Sequence, residues 1–345
     1  MSASAAILGQ FQKTLGEHVG VDGLKYTVCP RIPTGIFPLD LALGGGFPLG
    51  RPSEIYGMEG SGKTSIALLL GGYVQRVLKK KVVLIEFGSE TLDAPWAQKL
   101  GVYLKDLIVM RPDTCEQAVD MHEAFLYAED VGMVLLDSVG ALTTENEIEK
   151  GADTAAVGGS SALVSKMMRK CGVALSVEAK KGHHPTPIFI NQIRHKIGQM
   201  HGNPETTPGG NLLRFACHMR VKIYGKDKFL KETDNLPTFK ETKGTCVKYK
   251  VPIWNKQFEY DMAVRPYAGL KVGQAASWNT VATHLKTAGI LVKTDKVQEW
   301  TCLGVSVPTL DVLKEMYESD ESLRLAMQGE VVKISMVELM PGEPA

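Results

Sequence analysis

The chain has 345 residues, 39 Lys and Arg against 38 Asp and Glu, 44% hydrophobic and 22% charged residues, and a formal net charge of +1. These proportions exclude a disordered chain and a general polybasic coat, so any nucleic-acid surface has to be local. At roughly twice the usual single-domain length, the sequence predicts one large domain with a smaller partner.

Residues 1–20 lack the basic start and unbroken apolar core of a secretory signal. The longest apolar stretches, such as 133–136 and 188–190, fall far short of the ~20 residues a membrane helix needs. A cytoplasmic protein with no membrane partner is expected. Cysteines 29, 115, 171, 217, 246 and 302 are scattered, with no CxxC and no His at ligand spacing, which predicts neither a zinc site nor a disulfide framework.

In chain order, Ile7, Leu8, Phe11 and Leu15 recur at three-to-four spacing and predict an amphipathic helix, followed by a short strand over 24–28 that Pro30 and Pro33 close. Such a pair cannot bury its own apolar face, so it has to pack on the main domain or on another molecule. From 34 to about 265, apolar strands at 52–56, 82–87, 133–136 and 187–191 alternate with helices, one from Lys63 and one near Ala94. Near-continuous apolar strands separated by helices predict an α/β fold with a mostly parallel sheet covered on both faces. Alternating runs at 219–224, 245–251 and 257–260 predict an antiparallel extension. After Pro266, a helix-rich stretch with Trp278, His284, Leu285 and 313–316 predicts a small C-terminal domain.

Gly57-Met58-Glu59-Gly60-Ser61-Gly62-Lys63-Thr64 has the spacing GxxxxGK[ST], directly after an apolar strand and directly before a helix opening at Ser65. Glycines let backbone N–H groups wrap a β-phosphate, and the helix N-terminus adds partial positive charge. Lys63 would neutralise β/γ oxygens, and Thr64 would offer a hydroxyl to Mg²⁺. The apolar strand VGMVLLD ends in Asp137, where the open edge of a parallel sheet places ligand chemistry, so Asp137 is the natural Mg²⁺ partner. The plain alternative is a turn-capping Asp beside Ser138. Hydrolysis also needs a carboxylate to orient water; Glu90, just past the strand over 82–87, and Glu86, within it, both qualify. Either could instead be a salt-bridged surface acid.

Several segments together resemble the bacterial RecA recombinase family, the strand-exchange ATPases that include phage-encoded relatives. They run from Thr34 to Glu259: TGIFPLDLALGGGFPLGR, EIYGMEGSGKT, WAQKLGV, RPDTCEQA, LLDSVGALTTENEIE, FINQIRHKIG followed by GNPETTPGGN, and the VKYKV and KQFEY strands. FINQIR followed by NPETTPGGN is the specific part, because other phosphate-loop families lack it. The resemblance implies a self-association arm over 1–33, an ATPase core of RecA type over 34–265 with two DNA-binding loops, and a C-terminal domain over 266–345.

For the site, the resemblance implies ATP and Mg²⁺ as cofactors. Gly57, Glu59, Gly60, Ser61, Gly62, Lys63, Thr64, Ser65 and Asp137 would hold them, with Thr64 and Asp137 toward the metal. Asp93 and Trp96 match the adenine-side positions, where relatives commonly carry a tyrosine; Trp stacks on a base equally well. Family spacing counted back from Trp96 puts the catalytic carboxylate at Ser89, and a deletion in the turn would bring Glu90 into that slot. Glu90 is therefore the expected catalytic acid, with Glu86 as the alternative. Gln192, at a strand end, would sense the γ-phosphate and relay it onward. Residues 194–211 match the second DNA loop, in which Arg194, Lys196, Ile197, Gly198, Gly209, Gly210 and Asn211 would grip phosphates or wedge between bases. Residues 149–159, with Ser165, Lys166 and Arg169 on the following helix, match the first; Gly158-Gly159-Ser160 stands where relatives carry a bulkier wedge. A solvated helix face is the plain alternative for Lys166, Arg169 and Lys170.

Lys248 and Lys250 lie two apart on an expected strand. In the resemblance they reach a neighbour's γ-phosphate, which would make hydrolysis depend on assembly; solubilising edge-strand lysines are the alternative. Arg214 and Phe215 map to a subunit interface, or Phe215 to the core. The expected activity is DNA-stimulated ATP hydrolysis by a helical homo-oligomeric filament on single-stranded DNA that pairs it with homologous duplex and exchanges strands. A RecA-like motor such as a ring helicase, and a filament without efficient hydrolysis, remain as alternatives.

Overall fold

The computed structural model describes residues 3–15, 29–88, 92–149, 159–195, 205–231, 234–267, 269–294 and 299–339. Helix α1 (Ala3–Leu15) opens the chain, and the expected strand over 24–28 lies outside the described residues. Strand β1 (Arg31–Ile32) then pairs antiparallel with β2 (Phe47–Pro48) around helix α2 (Phe37–Ala42). The alternation that follows is β3 (Ser53–Gly57), α3 (Lys63–Tyr73), β4 (Lys81–Glu86), α4 (Ala94–Lys99), β5 (Leu107–Met110), α5 (Cys115–Leu126), β6 (Val131–Asp137), α6 (Glu145–Glu149), α7 (Gly159–Lys180) and β7 (Thr186–Gln192). A two-residue ribbon, β8 (Arg194–His195) against β9 (Glu205–Thr206), leads to α8 (Gly210–Ala216), β10 (Met219–Lys228), β11 (Phe239–Tyr249) and β12 (Gln257–Ala263).

One eight-stranded sheet carries the core, in the order β12-β11-β10-β3-β7-β6-β4-β5. Every residue of β3 and β6 is buried, as expected for strands covered on both faces. Alternate side chains feed two layers. Ile55, Leu84, Leu135, Ile188 and Val221 pack with Ile66 and Leu70 of α3. Val83, Ile85, Val134, Leu136 and Phe189 pack with Val119 of α5 and Met167 of α7 on the other side. The carboxyl ends of β3, β4, β6 and β7 thus open onto one edge, where a parallel sheet places its ligands.

The runs at 219–224, 245–251 and 257–260 form the expected antiparallel extension in β10, β11 and β12, which joins the core where β10 lies parallel to β3, with Val221 opposite Ile55. One residue and one strand depart from the reading of the sequence. Strand β11 ends at Tyr249, so Lys250 stands beyond the strand. Edge strand β5 was not singled out in the sequence; its half-exposed Leu107–Met110 gives no inside-outside alternation to read.

Beyond β12, helices α9 (Trp278–Thr287), α10 (Leu310–Ser319) and α11 (Glu321–Leu339) surround a small antiparallel sheet of β13 (Val292–Lys293), β14 (Trp300–Cys302) and β15 (Val305–Val307). They share a core of their own built on Trp278, Leu285, Leu313 and Tyr317, into which α2 of the larger unit inserts Leu41. Among the described residues no helix is long and apolar enough to cross a membrane.

Candidate nucleotide site and its link to the 194–211 segment

The phosphate loop leaves the end of β3 and runs into α3, whose N-cap is Gly62 at φ 91°. Gly60 is also at positive φ, and a side chain at either position would project into open space, so the bare backbone faces a cavity of about 300 Å³. That cavity is walled by Gly60, Lys63, Thr64, Asp137, Gln192 and Lys240, with Glu59, Ser65 and Ser138 beside them. Lys63 is mostly buried, and its Nζ donates to the Met58 carbonyl at 2.8 Å, which draws the ammonium back over the loop. Thr64 Oγ1 donates to Asp137 Oδ2 at 2.8 Å. The donor set fits a hydrated Mg²⁺ bound largely through phosphates, because this hydroxyl and carboxylate supply the one or two protein oxygens such an ion takes.

A second cavity of about 300 Å³ shares Thr64 and Asp137 and extends to Leu68, Glu86, Asp93 and Trp96. Asp93 caps α4 by accepting from Trp96 N at 3.0 Å, and Trp96 Nε1 donates to Ser65 Oγ at 3.1 Å, so the indole is fixed against the phosphate helix. Glu86 stands opposite Asp137 in register and is buried, with one carboxylate oxygen accepting from Arg111 Nε at 2.9 Å. Glu90 lies outside the described residues.

The end of β7 joins this cavity to the next segment. Gln192 lies in the cavity wall, and its backbone N–H donates to Asn191 Oδ1 at 2.9 Å. Asn191 Nδ2 donates to Glu54 Oε1 and to the Pro208 carbonyl, each at 2.9 Å. Glu54 is fully buried and ion-paired with Arg220, whose Nη2 reaches Thr207 Oγ1 at 3.2 Å. Sequence reading missed this cluster: Glu54 looks like an ordinary strand residue, and its partner is 166 positions away. The ribbon β8–β9 closes the base of the segment and is tied down by Lys222 to Glu205 and by Arg214 to Thr206 and Thr207.

A family model described as the RecA N-terminal domain matches residues 4–266. The chain belongs to the RecA family. Membership supports a RecA-like recombination and ATPase function in general terms, in a family of DNA-dependent ATPases that use ATP and Mg²⁺, bind DNA and form filaments. The α/β architecture, with its large mostly parallel sheet, is consistent with a RecA-type core.

Within this RecA fold, the expected DNA-side residues divide. Lys196, Ile197 and Gly198 lie outside the described residues. Arg194 is exposed, and its Nη2 donates to the Gly140 carbonyl at 3.0 Å. Gly209 and Gly210 seat the start of α8 on its neighbours: a Cβ on Gly209 would lie 2.9 Å from Val139 and Leu213, and one on Gly210 would lie 3.5 Å from Ser161 of α7. Asn211 is exposed at the same helix start. On α7, Ser165 Oγ donates back to the Ser161 carbonyl at 2.9 Å, Lys166 and Arg169 are exposed, and Lys170 is held by Asp120 and Glu123 of α5.

One plain alternative falls, and one expectation drawn from the resemblance takes a different shape. Phe215 is 68% exposed, which overturns the core alternative. Lys248 and Lys250 do not form one strand-borne pair. Lys248 turns in and its Nζ donates to the Arg214 and Phe215 carbonyls at 2.5 and 2.6 Å, capping the carbonyl end of α8, whereas Lys250 is exposed past the strand. Burial, then the charge of Lys250, lowers the Lys248 pKa from its ordinary value.

Proposed function

We infer that this protein is an ATP-dependent recombinase that forms helical filaments on single-stranded DNA, pairs that strand with homologous duplex and exchanges strands, hydrolysing ATP when DNA is bound. The observation that carries the reading is the unbroken polar run from Gln192 in the phosphate cavity, through Asn191, Glu54 and Arg220, to Thr207 and Pro208 at the base of the 194–211 segment. A change at the phosphate end has a continuous hydrogen-bonded path to the segment that would hold DNA. In this reading the loop amides and Lys63 bind the phosphates, and Thr64 and Asp137 hold Mg²⁺, which would neutralise charge developing in phosphoryl transfer. Trp96 faces the base. Glu90 orients water, since Arg111 already occupies Glu86. Base pairing reads sequence, so protein contacts need only reach phosphates and stacked bases.

The exposed Phe215 and the cations Arg214, Lys248 and Lys250 gather around the end of α8 and support a subunit contact there. In a filament Lys248 would exchange the carbonyls of its own chain for the neighbour's phosphate, which makes turnover depend on assembly. The test is electron microscopy of the purified protein with Mg²⁺, ATP and single-stranded oligonucleotide, alongside phosphate release with and without DNA. Filaments and DNA-stimulated release are expected. Closed rings, or dispersed particles under all conditions, would reject the reading.

A further inference from the structure

We propose that Lys240 is a second phosphate-contacting cation of the nucleotide site, supplied in cis by the antiparallel part of the sheet. The inference rests on the nucleotide reading of the cavity and adds a residue from outside the elements that reading uses. Among the described residues that wall the phosphate cavity, Lys63 and Lys240 are the cations, set against the acids Glu59 and Asp137. A triphosphate carries several negative charges, and Mg²⁺, the loop amides and one ammonium together offset only part of that charge once water is displaced.

The fold explains how a β11 residue reaches the phosphate loop. Strand β10 lies beside β3 and continues past its end, so that its Gly225 is pressed onto Ser61; a Cβ there would lie 2.6 Å from the Ser61 carbonyl oxygen. No other residue type fits that approach. Two residues further on, Asp227 is opposite Lys240 of β11, and the two side chains form an ion pair. The lysine is 18% exposed and the aspartate 48% exposed. A pair with so open a carboxylate is weak, because water solvates the acid nearly as well as the lysine does. Phosphate oxygens offer the same ammonium more charge and more acceptors. Lys240 is therefore parked on Asp227 and positioned to exchange that partner for the polyphosphate tail.

The experiment is calorimetric titration of the full-length protein with MgATP at about 0.1 M salt, an ionic strength that screens distant charges. Lys240→Gln is expected to weaken binding about tenfold and Lys240→Arg to stay within about twofold of the unsubstituted protein. Asp227→Asn removes the competing acid and is expected to tighten binding about threefold, an effect that vanishes when Lys240→Gln is also present. Affinity within about twofold of the unsubstituted protein in Lys240→Gln would overturn the proposal. If Lys240→Gln does not fold by thermal melting, Asp227→Asn decides: unchanged affinity rejects the proposal. Lys63→Ala separates the two readings. Its binding MgATP normally would sink the nucleotide site itself, whereas its failure to bind beside a normal Lys240→Gln would sink only the role of Lys240.

Discussion

The phosphate cavity and the base of the 194–211 segment sit at two ends of one polar run but are built on opposite plans. At the cavity, backbone amides, a hydroxyl and a carboxylate are set in place by the turn from β3 into α3 and by the end of β6. The backbone of that region is already set for a ligand, and the side chains that change partners there are Lys63, now on the Met58 carbonyl, and, as proposed above, Lys240, now on Asp227. At the segment base, long cations do the holding, and each is already engaged: Arg220 with Glu54, Lys222 with Glu205, Lys248 with carbonyls of α8. The first region is preorganised for an anion, and the second is a set of exchangeable bonds. If the proposed function holds, the contrast teaches where a signal would be converted: preset backbone would receive it, and tethered charges would respond by changing partners.

The largest expected effect breaks the first region alone. Lys63→Ala should lower ATP turnover by a factor of about 100 or more, read as phosphate release, while leaving the melting temperature near its original value. Retained turnover would mean that the loop is not the catalytic cradle. Next, Glu54→Gln leaves the largely covered Arg220 without its counter-charge, and a loss of about 3 kcal/mol in urea denaturation is expected. A loss below about 1 kcal/mol would show that the cluster is not held by that pair.

A pH test lies on the same face of β7, two residues before Asn191. Phe189 there stacks on His122 of α5, with ring centroids 5.3 Å apart. His122 is buried, neither ring nitrogen has a partner among the described residues, and burial pushes its pKa down to about 4. Because the folded value lies below the unfolded one of 6.5, the unfolded chain binds more protons between these values. Stability from this group is full above the unfolded value and is lost as pH falls toward about 4. Between pH 7 and pH 5 the protein should lose about 2 kcal/mol more than His122→Phe loses, measured by urea midpoints. Equal losses would place the acid sensitivity elsewhere. The smallest stability effect is expected at Phe215→Ala, within about 0.5 kcal/mol, since the ring is 68% exposed. Its filament length on single-stranded DNA should nonetheless fall, and unimpaired assembly would remove it from the subunit contact.

What could be read from sequence follows from how local each signal is. The phosphate loop was legible because its chemistry needs glycine, lysine and threonine at fixed spacing within eight residues. Asp137 was legible because it terminates an apolar strand. Glu54 and Lys240 were not, since their meaning depends on sheet order: β10 joins β3 across more than half of the core, and no local pattern announces that neighbour. That the antiparallel extension would join the core through a β10 parallel to β3 was not legible for the same reason, because alternation of side chains is identical in either direction. For Lys248, resemblance named the residue, but only packing could show that its ammonium already caps α8.

The hydrogen bond from Trp96 to Ser65 also equips the molecule with a built-in optical reporter. Of its four tryptophans, Trp254, Trp278 and Trp300 belong to the cluster around the C-terminal unit, so Trp96 alone abuts the helix that begins at Lys63. Any quenching or spectral shift of intrinsic emission on adding nucleotide would therefore be dominated by one indole, and occupancy could be followed in real time without attaching a dye.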